Sequence, residues 1–140
     1  MTIDGGLRKI FHSSLPAFHW QAVETGMTGL GVPDTNYCFG GIEGWIEFKF
    51  TTALAVNISG PQVGWIERRI RAGGRVTIAV RRTTTAGPRK GPATDGLWLY
   101  DGSSARELFS VGLKHQDRLG HWDGPPKKWN WREVDRLLLR

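Results

Sequence analysis

The sequence predicts an α/β domain, because strand patterns and helix patterns alternate along it. Three stretches carry that reading. Trp45 to Phe50 is aromatic and β-branched, with almost no helix-favouring residues, and reads as a strand. Ser59-Gly60-Pro61-Gln62 has the spacing of a capping box, with proline in the first turn, and opens a helix that Gly73-Gly74 stops. Val76 to Arg82 alternates again, with Val76, Ile78 and Val80 on one face.

The remaining elements follow in order. Leu7, Ile10, Phe11 and Ser14 fall at helical spacing before Pro16, which predicts a helix over 7–15 capped by Asp4 and serving only to pack on the sheet. Phe18 to Thr25 alternates as a strand, with Glu24 near its end and the glycine-rich 26–31 as a loop. Asp34 to Ile42 holds Asn36, Cys38, Gly40 and Gly41, the makings of a hairpin, with Cys38 expected as a small buried hydrophobe. Gly44 predicts a bulge that leaves the aim of Glu43 open. Past Arg82, residues 83–94 read as a basic loop and Leu97 to Tyr100 as a short strand. Ser103 to Leu113 reads as a short helix, Gly120 to Trp131 as an aromatic-proline arm, and Trp131 to Leu139 as a closing helix. There are no internal repeats, and residues 1–140 read as one domain.

The chemistry concentrates between Gly31 and Lys49. Side chains alternate across a strand, so Ile46, Phe48 and Phe50 share one apolar face while Trp45, Glu47 and Lys49 share the other. Burying the apolar face fixes the register and aims Glu47 and Lys49 together. A carboxylate and an ammonium two residues apart, joined by Asp34 from a nearby turn, would hold a divalent metal beside a positive charge. That combination suits attack on a phosphodiester.

Pro33-Asp34 followed by Glu47-Phe48-Lys49 resembles the P-D…(D/E)-x-K signature of the restriction-endonuclease-like nuclease superfamily. The glycine before P-D, the hairpin, the helix bearing Gln62 and the following strand extend the likeness over roughly Phe18 to Arg82. Within the superfamily the chain is most similar to small VRR-NUC-type and phage Holliday-junction-resolving nucleases. The resemblance implies a restriction-endonuclease-like core, a central mixed β-sheet flanked by helices. It implies Mg²⁺, with Mn²⁺ as substitute, held by Asp34 and Glu47 with the Phe48 carbonyl as a further oxygen and Glu24 as an additional acidic ligand. Lys49 would orient the attacking water or offset phosphoryl charge, and Gln62 would stand near the site, although a pure helix-cap role for it is equally open. The expected products carry 5′-phosphate and 3′-hydroxyl ends. The expected substrate is branched DNA, cut by a homodimer in a bacterial or phage-infected cytoplasm.

Composition agrees with an anionic partner. The chain carries a net +6, and between Glu67 and Lys90 lie Arg68, Arg69, Arg71, Arg75, Arg81, Arg82, Arg89 and Lys90 against the single acid Glu67. Arginine, the better phosphate fork, dominates the tract, which is the expected nucleic-acid contact. One cysteine excludes an internal disulfide and fits a reducing cytoplasm, and no apolar run approaches a membrane span. The four histidines form no HExxH pattern, so zinc is not expected, and no serine-hydrolase elbow or P-loop is present. The seven tryptophans read first as staples of a small core. The apolar residues from Trp122 to Trp131, with Val134, Leu137, Leu138 and Leu139, are expected either to make a dimer contact or to cap the monomer's own core. Against the structure-selective endonuclease stand a general or sequence-preferring duplex endonuclease, a non-catalytic nucleic-acid-binding protein of the same fold, and a basic assembly protein.

Overall fold

The computed structural model describes residues 4–23 and 30–140. Its centre is a six-stranded mixed sheet in the order β1 (His19–Ala22), β2 (Thr35–Phe39), β3 (Ile42–Thr51), β4 (Val76–Thr84), β5 (Thr94–Asp101) and β6 (Gly120–Asp123). All neighbours are antiparallel except β3 and β4, which are parallel and joined by α2 (Gly60–Arg71). A parallel pair needs such a crossover, and the capped helix after β3 supplies it.

Helices cover both faces. On one, α1 (Leu7–Ser14) and α4 (Trp131–Leu138) pack over Tyr37, Ile46, Phe48, Ala79, Leu97 and Leu99. On the other, α2 and α3 (Ala105–Val111) pack over Val76, Ile78, Val80 and Tyr100. The alternation in β3 therefore sorts as its sequence requires, with Ile46 and Phe48 buried on the first face and Trp45 packed against the second. Each of the two buried side chains contributes about 1.5–3 kcal/mol. A one-residue slip would exchange them for Glu47 and Lys49, so the register is strongly specified.

The β2–β3 hairpin turns at Gly40 and Gly41, whose φ angles of 59° and 80° suit a two-residue primed turn. Asn36 and Cys38 stand in β2 rather than in the turn, and Cys38 is half-buried rather than enclosed. The expected bulge at Gly44 is absent, because the ladder runs without interruption through Tyr37–Gly44 and Cys38–Glu43. Glycine is needed there for space. A Cβ on Gly44 would lie 2.4 Å from the Tyr37 hydroxyl oxygen. Tyr37 is fully buried and donates a 2.5 Å hydrogen bond to the Leu138 carbonyl, so it cannot yield. Gly44→Ala is expected to destabilise the fold by about 1–3 kcal/mol, read as a lower urea midpoint at unchanged slope.

One further expectation changes and one is decided. The arm after Gly120 contains a sheet strand, β6, hidden in the sequence by its shortness and its aromatic-proline surroundings. The apolar residues near the end face inward: Trp129, Val134, Leu137 and Leu138 belong to the first core, with Trp122, Trp131 and Leu139 packed against it. They serve the monomer's own core, the second of the two expected roles. No helix among the described residues is long and apolar enough to cross a membrane.

Candidate active site

The site arises where β2 stops. The β2–β3 ladder ends at Thr35–Ile46, whereas β3 continues beside β4 to Thr51. Beyond Ile46, β3 therefore has a ladder on one side only, and a cleft of about 850 Å³ opens there. Asp34, Glu47, Phe48, Lys49 and Gln62 all line it. Pro33 is buried, and Asp34 holds the position just outside the ladder, on the same face as Glu47.

Gln62 ties the helix to the site. Its Oε1 accepts the Ser59 N–H at 3.0 Å, closing a reciprocal capping box with the 3.2 Å bond from the Gln62 N–H to Ser59 Oγ. Oε1 also accepts from Lys49 Nζ at 3.0 Å, and Nε2 donates to Glu47 Oε1 at 2.8 Å. The cap settles the amide's orientation. Only the carbonyl oxygen can accept a backbone N–H, so the NH₂ must face Glu47. One side chain therefore both caps the helix and lines the cleft in contact with Glu47 and Lys49.

Glu47 is 4% exposed, and its carboxyl is pushed up to about 8. Burial is the main cause, and the Asp34 charge raises it further, against a smaller pull from Lys49. Asp34 is also shifted upward by burial, against hydrogen bonds from Thr35 and Glu47. Two carboxyls in hydrogen-bond contact, one buried and one half-buried, are set to share a proton. That arrangement, rather than a full ligand cage, suits Mg²⁺, which keeps several waters and takes few protein oxygens. Among the described residues no group of three or more His, Cys, Asp or Glu side chains is placed to hold a metal, so Asp34, Glu47 and the backbone at Phe48 are the donors on hand. Glu24 lies outside the described residues. Glu43 shares a strand face with Glu47 but sits four residues back and does not line the cleft.

The basic tract does not form one patch. Arg75 donates to the carbonyls of Arg140 and Glu43, and Arg81 makes a two-pronged pair with Asp95 at 3.0 and 2.7 Å. Both are engaged internally. Arg68, Arg69 and Arg71 lie at the far end of α2 from Gln62, and Arg69 stacks over Trp65 and Trp45, 4.7 and 5.7 Å from the ring centroids. Arg82 is half-buried near the end of β4, while Arg89 and Lys90 are exposed in the β4–β5 connection. A strand separates what the sequence puts side by side: the six residue steps from Arg75 to Arg81 span about 20 Å.

Sequence reasoning missed two parts of the cleft lining: Asp4, Gly6, Arg8 and Lys9 at the start of α1, which packs on the sheet face opposite α2, and Asn57 just before α2. The only signal was the pairing of basic residues after Asp4, which braces the first turn from two residues upstream of the N-cap, Gly6. Compared with models of protein families, with curated proteins and with solved structures, the chain matches none.

Proposed function

We propose that this chain is a metal-dependent endonuclease that hydrolyses DNA phosphodiester bonds, with a restriction-endonuclease-like core. The observation that carries the reading is the hydrogen-bonded set of Asp34, Glu47, Gln62 and Lys49 in one cleft. The order hairpin, E-x-K strand, glutamine-bearing helix and parallel strand supports it. Asp34 and Glu47 would hold Mg²⁺, with the Phe48 carbonyl as a third oxygen. When bound, the ion supplies positive charge to the phosphoryl oxygens and lowers the pKa of a nucleophilic water. Lys49 presents an ammonium two residues from Glu47 and stabilises the charge that develops on the phosphoryl group. Gln62 holds both side chains in that geometry, and burial of Glu47 keeps competing water away. Cleavage assays with Mg²⁺, Mn²⁺ and EDTA test the proposal directly. Binding without cleavage under every metal condition would leave a nucleic-acid-binding protein, and neither binding nor cleavage would leave an assembly role.

The substrate we propose is branched DNA, cut by a homodimer. One chain has one P-D…E-x-K set and makes one cut, whereas resolving a junction takes two cuts on strands related by approximate two-fold symmetry. Light scattering at micromolar concentration, paired with cleavage of a four-way junction and a matched linear duplex, tests this. A monomer that cuts both equally well would leave a general endonuclease. Affinity is also expected to depend on salt. Arg75 and Arg81 are engaged internally, so Arg68, Arg69, Arg71, Arg82, Arg89 and Lys90 remain as phosphate contacts. With all six engaged, log K falls against log salt with a slope of about −5. A slope near zero would remove the tract from the interface.

A further inference from the structure

The cleft has one cationic wall that the catalytic reading does not use. Arg8 and Lys9 both line it from the first turn of α1, and both side chains are exposed.

The position of α1 is built into the fold. Leu7 and Phe11 are fully buried, which sets the rotation of the helix and turns Arg8 and Lys9 away from the core. Asp4 accepts the backbone N–H groups of Gly6 and Arg8 at 2.9 and 3.1 Å, ordering the first turn. Arg81, held by Asp95, donates from Nη1 to the Gly5 carbonyl at 2.8 Å and fastens that turn to β4. The arginine that the sequence offers as a phosphate ligand thus positions two other cations.

Charge decides what this wall would meet. Once a divalent cation balances Asp34 and Glu47, the described residues of the cleft lining carry Arg8, Lys9 and Lys49 against Asp4. Lys49 is committed to Gln62 and the reacting centre. The other two face a cleft wide enough for more than the scissile group.

We infer that Arg8 and Lys9 form a phosphate subsite that holds the internucleotide phosphate next to the scissile one, across the cleft from Gln62. The inference rests on the endonuclease reading and names how that site grips its substrate. Arg8 and Lys9 are positioning residues: they bind backbone beside the reaction and do not touch the reacting atoms.

The test compares Arg8→Ala/Lys9→Ala with a Lys127→Ala/Lys128→Ala control, which removes two exposed cations from the turn before α4. DNA binding is measured in a Glu47→Gln background, and cleavage in an otherwise wild-type chain. The α1 variant is expected to weaken binding and raise KM about ten-fold or more at moderate salt, to leave kcat nearly unchanged, and to reduce the salt slope by about two. The control is expected to change none of these as much. A closed circular single strand, which has no terminal phosphate, is expected to show the same loss, and a loss confined to 5′-phosphorylated ends would overturn the internal-phosphate assignment. Affinity and slope equal to those of the control would overturn the subsite while leaving the endonuclease reading intact. Weakened binding in the α1 variant of a chain that cleaves nothing would sink the catalytic reading and overturn the placement beside a scissile phosphate, leaving Arg8 and Lys9 as a plain backbone contact. No DNA binding at all would overturn both.

Discussion

Glu47→Ala and Lys49→Ala are each expected to slow Mg²⁺-dependent DNA cleavage by about 10²–10³-fold or more while leaving DNA affinity largely intact. The structure separates this effect from a folding defect. Removing the Lys49 ammonium takes one donor from Gln62 Oε1, but that oxygen keeps the Ser59 N–H, so the cap of α2 survives. Removing the Glu47 carboxylate takes the acceptor from Gln62 Nε2 but leaves the reciprocal Ser59–Gln62 cap in place. Asp34→Asn is expected to fall with them, because an amide is a poor substitute for an anionic magnesium ligand. Circular dichroism and the urea midpoint check folding, and single-turnover assays at saturating DNA report the chemical step. Lys49→Ala cutting near the wild-type rate would remove Lys49 from the site. Asp34→Asn retaining full activity would remove the carboxylate pair.

What the sequence made legible was local. The period of two in β3 sorts its six central residues between the faces, and hydrophobic burial leaves no other choice. The capping box of α2 is written in the spacing of Ser59 and Gln62, because side chain and backbone three residues apart must meet at a helix start. Proximity of Asp34 to Glu47 follows from a tight hairpin that returns the chain along itself.

Features that depend on distant chain segments were not legible. Arg75 and Arg81 belong to a basic run in sequence, yet their partners are the Arg140 and Glu43 carbonyls and Asp95, which no local pattern announces. α1 reads as a packing helix from its apolar stripe, and its Leu7 and Phe11 do pack. Its outer residues become a cleft wall only because β2 ends early and leaves that side of β3 open. Gly44 looked like a bulge because the ring that needs its space comes from Tyr37 across the hairpin. The terminal aromatic and leucine residues resembled an interface for the same reason. Apolar content predicts burial, but not against which chain.

Glu47→Gln is expected to raise the thermal midpoint of the metal-free protein near pH 8 while abolishing cleavage. In the native chain burial and the Asp34 charge push Glu47 up to about 8, against about 4.5 for an ordinary exposed glutamate. The folded state therefore holds this proton more tightly than the unfolded chain does. The resulting stabilisation is complete below about pH 4.5 and is lost as pH rises through about 8. Metal-free wild type should melt at progressively lower temperature across that window. Asp101 titrates with the opposite sign: burial pushes it up, but the hydrogen bonds from Arg140 and Ser103 together outweigh burial and hold it low. Its contribution is lost only as the solution becomes acidic, below the Glu47 window. Glutamine keeps a neutral group at position 47 with an oxygen for the Gln62 amide and an NH₂ for Asp34, so the variant should show little slope above pH 5. Mg²⁺ binds the ionised pair and displaces the shared proton, so it should raise the wild-type midpoint near pH 8 by mass action and leave Glu47→Gln almost unmoved. A wild-type midpoint flat from pH 5 to 8 and indifferent to Mg²⁺ would mean that Asp34 and Glu47 neither share a proton nor hold a cation. A falling wild-type midpoint that Mg²⁺ restores, beside a flat variant, would show a carboxylate pair kept at a cost to stability and relieved by a metal.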